Sequence, residues 1–303
     1  MKKILVIGSL NTDFSFSVKN IPKPGETLNA TSLKISNGGK GANQAYTIGK
    51  LGGNVSMLGM VGNDSYAKNL INSLKSVNVN VNSIKKSKLE KTGMAFINVS
   101  ENGENSITTI HGANYEITPD VILKNKSLIY KADIILMQLE IPLESVKKVL
   151  EIANNKIIIL DPAPANKDIL NFNLSNVYLM KPNITELSGL TDKKIDDEAS
   201  IIEAASILIK KGVKNIVVSL GEKGCYLVNN NTSKFFPSIK SNTIDTTAAG
   251  DSFIASIALS LSDGKSIEEG IKFATKVASL VVTKKGAQDS IPTLKEVLKW
   301  RKE

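Results

Sequence analysis

Apolar residues along this chain come in short, nearly unbroken runs, and between the runs they recur every three or four positions. The runs Ile4–Ile7, Val55–Val61, Ile134–Leu139, Ile157–Leu160, Val177–Met180 and Ile216–Leu220 predict strands hidden on both faces. The stretches Ala42–Lys50, Tyr66–Val77, Leu143–Ala153 and Glu198–Lys211 between them carry a helical period, and so does Ile267–Thr283, with Gly286 expected to end that helix. Strands alternating with helices predict an α/β fold of three layers, α/β/α, around a mainly parallel central sheet. Ligands of such sheets lie at the carboxyl ends of the strands. Asn11, Asp13, Glu140 and Asn183 all fall there.

Two regions depart from this rhythm. Phe14–Val18 alternates with period two, as do parts of Thr92–Val99 and Ser106–His111 around the turn Glu101-Asn102-Gly103-Glu104. With no helices between them, they predict a small antiparallel sheet projecting as a lid, drawn from about 13–37 and 91–113. A lid at the strand ends closes over a ligand, and its exposed apolar face suits pairing with a second copy, giving a homodimer. No linker-like or repetitive segment divides the chain, so 1–303 reads as a single domain. Asn78–Asn82 and Asn229–Asn231 read as turns.

Composition narrows the chemistry. One cysteine among 303 residues excludes an intrachain disulfide and a thiolate metal cluster, and one histidine, His111, excludes a histidine-rich metal site. A serine–histidine nucleophile is disfavoured for the same reason, which leaves Asp, Glu, Lys or Tyr to move protons. The net charge of +9 fits a solvated, lysine-rich surface, and its field favours a polyanionic nucleotide. Nothing marks a nucleic-acid binder. No run approaches a membrane span, and Met1-Lys2-Lys3 leads straight into the first strand with no signal sequence, so a cytoplasmic location is expected.

Asp245-Thr246-Thr247-Ala248-Ala249-Gly250-Asp251-Ser252 opens a helix with small residues. Free, unshielded N–H groups at a helix start attract anions, and the carboxylate of Asp251 stands at the same place. That pairing suits phosphoryl transfer to a hydroxyl: the amides take the charge on phosphate, and the acid takes the proton. Asn37-Gly38-Gly39-Lys40-Gly41-Ala42-Asn43-Gln44-Ala45 precedes a helix with three glycines in four positions, though its spacing is not that of a P-loop. Gly8–Asp13 lacks the Gly-x-Gly-x-x-Gly of a dinucleotide site. Taken singly, most of these stretches have a plain local reading. The glycines make a flexible turn, Asn11 and Asp13 an Asx turn, Glu140 a loop acid, Asn183 and Glu186 a capping box, and Gly221–Gly224 a hairpin turn. Their joint occurrence in this order does not.

Together they resemble the PfkB family of carbohydrate kinases. The resemblance runs nearly end to end, with Gly38–Asn43 and Asp245–Asp251 matching the family's two signatures. Met137-Gln138-Leu139-Glu140 and Asp161-Pro162-Ala163-Pro164-Ala165 are close to its ribose-phosphorylating members. Asp161 stands where Asn is expected, a departure expected not to touch the chemistry. The resemblance implies transfer of phosphoryl from ATP to the 5-hydroxyl of D-ribose, with Asp251 as base and Ala248, Ala249 and Gly250 as anion hole. It implies a sugar pocket of Asn11, Asp13, Gly39, Lys40, Asn43, Glu140 and Asp251, and a nucleotide site of Asn183, Ser219, Gly221, Gly224 and Thr275. Mg²⁺ is implied with ATP, touched indirectly by Glu186. K⁺ is implied as activator, held by Asp245, Thr247, Val281, Lys284, Gly286 and Ser290. Deoxyribose, fructose or adenosine as acceptor, or a non-catalytic sugar- or nucleotide-binding regulator, are the alternatives.

Overall fold

Short, nearly continuous apolar runs suit strands of a sheet covered on both sides, and that is where they lie. The structure, a computed structural model, describes residues 1–300. Its strands are β1 (Ile4–Ile7), β2 (Asn11–Val18), β3 (Ser32–Gly38), β4 (Val55–Val61), β5 (Asn80–Lys86), β6 (Gly93–Ser100), β7 (Asn105–Ile110), β8 (Ile134–Met137), β9 (Ile157–Leu160), β10 (Val177–Met180), β11 (Asn215–Ser219), β12 (Gly224–Asn229) and β13 (Ser233–Pro237). Its α-helices are α1 (Lys40–Lys50), α2 (Ser65–Ser76), α3 (Pro119–Lys124), α4 (Lys126–Lys131), α5 (Leu143–Ile152), α6 (Ile184–Thr191), α7 (Glu198–Lys210), α8 (Ala249–Ser262), α9 (Ile267–Val281) and α10 (Leu294–Lys299).

The central sheet has nine strands in the order β13-β12-β11-β10-β9-β8-β1-β4-β5. From β11 to β5 every pairing is parallel, while β12 and β13 add an antiparallel edge. Alternate strand residues feed two cores. Ile4, Val6, Ile134 and Leu136 pack with residues of α1, α2, α8 and α9, whereas Leu5, Ile7, Ile135 and Met137 pack with residues of α5, α6 and α7. The edge strand β5 escapes an apolar-run search because it begins Asn80-Val81-Asn82-Ser83, and only Asn78, at φ 62°, makes the expected turn. No described helix is long and apolar enough to cross a membrane.

The lid is a second sheet in the order β3-β2-β6-β7. Its outer pairings are antiparallel as expected, but β2 and β6 run parallel. The cause is topological: β2 follows β1, and β6 follows β5, so both leave the same end of the parallel sheet in the same direction. Gly103, at φ 86°, turns the β6–β7 hairpin. By register, Leu33, Ile35 and Ile110 share the face of Phe14 and Phe16, and all three are more than half exposed.

One local expectation fails. Helix α9 ends at Val281 with Val282 still in the helical region, so Gly286 does not cap it. Gly286, at φ 99°, instead donates its N–H to Asp245 Oδ2 at 2.8 Å.

Candidate active site

The floor of the site is a close approach of two main-chain segments. Gly39 begins α1 at φ 87°, a conformation other residues rarely adopt, and a Cβ there would lie 2.6 Å from the Asn11 nitrogen. A Cβ on Gly41 would lie 2.6 Å from the Gly8 carbonyl carbon. Without those carbons the start of α1 presses onto the β1–β2 connection. Lys40 and Asn43 are thereby brought beside Asn11 and Asp13, which share one face of β2.

Hydrogen bonds then fix the acids. Asn43 Nδ2 donates to Asp251 Oδ2 at 3.0 Å, and Gln44 Nε2 donates both to Asp251 Oδ1 at 3.1 Å and to Asp161 Oδ2 at 3.0 Å. Gln138 Nε2 in turn donates to Gln44 Oε1 at 2.5 Å. Glu140 Oε2 accepts from the Ser9 hydroxyl and, at 3.2 Å, from the Lys40 N–H. Asn114 Nδ2 donates to Asn11 Oδ1 at 2.7 Å while its own oxygen accepts from the Leu10 N–H, which orients Asn11. Ser9, Gln44, Asn114 and Gln138 are not among the site residues the sequence points to. Gln138 carried a signal, since it is an amide inside an otherwise apolar run, whereas Gln44 stands beside Asn43 in the glycine-rich segment. Asn114, in the turn after β7, carried none.

Burial concentrates charge here. Burial, then the neighbouring carboxylates of Glu140 and Asp251, pushes Asp13 up from 3.8 to about 7. Its carboxylate has no hydrogen-bond partner among the described residues. Burial works to neutralise Lys40, yet Asp251, Asp161, Glu140 and Glu186 outweigh it and hold the ammonium charged well above its ordinary range. Asp161 is raised to about 6, chiefly by burial, with Lys181 and Lys40 opposing. The departure at Asp161 is expected not to touch the chemistry, yet the structure places it in the hydrogen-bond network of the candidate base. Asp161 is fully enclosed and one amide removed from Asp251.

Asp251 itself is buried in the first turn of α8. Ala248 precedes the helix in a left-handed conformation, φ 60°, and no side chain caps the helix. The N–H groups of Ala248 and Gly250 have no acceptor among the described residues, whereas that of Ala249 donates to Thr246 O at 3.1 Å. Of the three amides expected to form the anion hole, two are therefore free.

Of the residues expected to border a nucleotide, Asn183 and Ser219 lie side by side through a parallel bridge, with Ser219 N–H donating to Pro182 O at 3.0 Å. They share with Gly221 a cavity of about 520 Å³. Gly221, at φ 58°, and Gly224, at φ 123°, bracket the turn between β11 and β12. The capping box is real: Asn183 Oδ1 accepts from Glu186 N–H at 2.7 Å, and Glu186 Oε2 accepts from Asn183 N–H at 2.8 Å. The Thr275 hydroxyl is turned back to Ile271 O at 2.9 Å.

Asp245 gathers part of the expected cation set. Burial disfavours its charge, but the Thr247 hydroxyl, the Gly286 and Thr247 amides and the nearby Lys34 ammonium hold its carboxyl below the usual range. Val281 and Lys284 meet through a turn, Lys284 N–H to Val281 O at 3.2 Å. Ser290 donates its hydroxyl to Ala287 O at 2.8 Å and makes no hydrogen bond to Asp245.

Comparisons with known proteins bear on the family and the fold. A family model described as pfkB family carbohydrate kinase matches residues 1–294. A ribokinase of Haemophilus influenzae is 39% identical over 302 residues, covering 99% of this chain and 98% of that protein. A deoxyribokinase of Salmonella typhi is 37% identical over 295 residues, covering 97% and 96%. The solved ribokinase of Arabidopsis thaliana, complexed with ribose and ATP, superposes with a TM-score of 0.89 at 33% identity, covering 98% of each chain. With its two-sheet architecture, its glycine floor and Asp251 at an uncapped helix start, the chain belongs to the PfkB family of carbohydrate kinases.

Proposed function

We propose that this kinase transfers the γ-phosphoryl group of ATP to the 5-hydroxyl of D-ribose, giving D-ribose 5-phosphate and ADP. One observation carries the reading: Asp251, gripped by Asn43 and Gln44, stands in the first turn of α8 beside the free amides of Ala248 and Gly250. The ribokinases at 33–39% identity, one of them complexed with ribose and ATP, supply the acceptor.

In this reading Asn11, Asp13, Gly39, Lys40, Asn43 and Glu140 bind the sugar. Carboxylates and amides at fixed geometry suit vicinal hydroxyls, which donate and accept at once. The lid face of Asn11 and Asp13 also carries Ala95, Ile97 and Ile107, an apolar cover that excludes water on closing. Asp251 takes the proton of the 5-hydroxyl as its oxygen bonds to the γ-phosphorus, and the bond from that phosphorus to the β–γ bridging oxygen breaks to release ADP. Ala248 and Gly250 amides meet the charge on the phosphoryl oxygens, and Ala249 joins once Thr246 O releases it.

Asn183, Ser219, Gly221, Gly224 and Thr275 border the nucleotide. Glu186 has one oxygen engaged in the cap, which leaves the other to hold, through water, the Mg²⁺ that would accompany ATP and would neutralise phosphate charge. Asp245, Thr247, Val281, Lys284, Gly286 and Ser290 would hold K⁺ once the Thr247 and Gly286 amides that now engage the Asp245 carboxylate release it. The exposed lid residues Leu33, Ile35 and Ile110 fit a second copy of the chain. Light scattering is expected to give twice the 32.6 kDa chain mass; a single chain mass removes the dimer.

The deoxyribokinase at 37% identity favours 2-deoxyribose as the second reading, because the two sugars differ by one hydroxyl. An ATP-consumption assay across ribose, 2-deoxyribose, fructose and adenosine, with and without K⁺, separates them. The highest kcat/KM is expected for ribose with K⁺, and a preference for any other acceptor overturns the assignment.

A further inference from the structure

Two oppositely charged side chains lie behind the anion cradle. Lys181, just past the end of β10, is only 5% exposed, and Asp161, just past β9, only 1%. They face each other at 3.8 Å, Nζ to Oδ1, beyond hydrogen-bonding distance. Asp161 Oδ1 is a buried atom with no hydrogen-bond partner, and the ammonium has none among the described residues. Retaining such a pair does little for stability: both desolvation costs are incurred, and the only hydrogen bond offsetting them is the one Gln44 donates to Asp161 Oδ2, none passing between the two charges. The slack leaves the ammonium free to turn toward an anion.

Its surroundings indicate which anion. A Cβ built on Gly250 would lie 3.3 Å from Lys181 Nζ, so the cation stands against the same turn of α8 that offers its amides. Gln44 links the pair to Asp251, since its amide nitrogen serves both carboxylates. A cation, free helix amides and an acid thus converge at one helix start, built from β9, β10, α1 and α8.

We propose that Lys181 is a catalytic residue that contacts the phosphoryl group in transit, with Asp161 a positioning residue that holds the ammonium and ties it to Asp251 through Gln44. This rests on the kinase reading above. Lys181 neutralises charge on the non-bridging oxygens while the bond to the sugar oxygen forms and the bond to ADP breaks, and it transfers no proton. A lysine serves here as a point charge, which approaches phosphate from a confined position.

The test compares Lys181→Met with the double variant Lys181→Met/Asp161→Asn, which removes both charges and leaves none buried alone. Circular dichroism and calorimetric ribose binding report folding and the sugar pocket. Both variants are expected to lose about 10²-fold in kcat, in the range for removing one transition-state donor. Affinity for the β,γ-imido analogue of ATP should fall about tenfold, as for a lost charge-assisted contact, with ADP and ribose affinity within threefold of the parent. Asp161→Asn alone keeps the ammonium and should lose less kcat than Lys181→Met. Lys181→Met or double-variant protein with kcat and analogue affinity within twofold of the parent overturns the proposal, as does an equal loss of ADP affinity. If the parent phosphorylates another acceptor, ribose is the wrong substrate. The analogue-to-ADP comparison then still reads Lys181.

Discussion

Asp251→Asn is expected to lose about 10²–10⁴-fold in kcat, the usual worth of a general base, while ribose and ATP still bind. The substitution is nearly isosteric and keeps a hydrogen-bond acceptor for one of its two partners, Asn43 or Gln44. The other partner then faces an N–H₂ group, a local cost of roughly 1 kcal/mol that leaves the fold intact. The sugar pocket keeps Asn11, Asp13 and Glu140, so calorimetric affinity for ribose should stay within a few fold. What disappears is the only carboxylate set among the first amides of α8. A variant turning over within tenfold of the parent would show that the hydroxyl proton leaves by another route.

Asp13→Asn should act in opposite directions on stability and binding. Burial and two neighbouring acids raise the Asp13 carboxyl to about 7 in the folded chain, against 3.8 when unperturbed. Below pH 4 both states hold the proton and the group contributes no pH dependence. Between about 4 and 7 the folded chain keeps a proton the unfolded chain has released, so stability falls as pH rises, and above 7 the penalty is complete. Asn carries no such penalty. At pH 8 the variant should be more stable than the parent by roughly 2–4 kcal/mol, an advantage that shrinks toward pH 4. Ribose affinity should fall about 10–10³-fold, because hydrogen bonds to an ionised acceptor are worth roughly 1.5–3 kcal/mol each. In the parent, ribose affinity should rise with pH through about 7 as Asp13 ionises. Melting curves and calorimetry at pH 4, 6 and 8 read both effects. A variant less stable than the parent at pH 8 would mean that Asp13 is not held in an unfavourable charged state.

Much of the candidate site was readable from the chain because its pieces are local. Gly39 must turn at positive φ, small residues must leave the start of α8 open, and Asn183 and Glu186 cap a helix from three residues apart. Such features depend on neighbours in sequence. Strands β1, β4, β9 and β10 fell at their expected limits for the same reason, since a four-to-seven-residue apolar run has one economical use in an α/β fold. The edge strand β5 did not stand out, and β3 was expected only as part of the lid span 13–37, because strands open to solvent on a face carry polar residues that read as turns.

The amino-acid order alone therefore determined the alternation of strands and helices, the glycine floor and the amide cradle with its acid. Only the tertiary structure decided that one Gln44 amide bridges Asp251, 207 positions away, to Asp161, that Lys181 backs the cradle, and that β2 and β6 run side by side in parallel. The division has a physical cause: backbone conformation and periodic burial are set by adjacent residues, whereas desolvation and the pull between charges depend on distances that exist only once remote segments have packed.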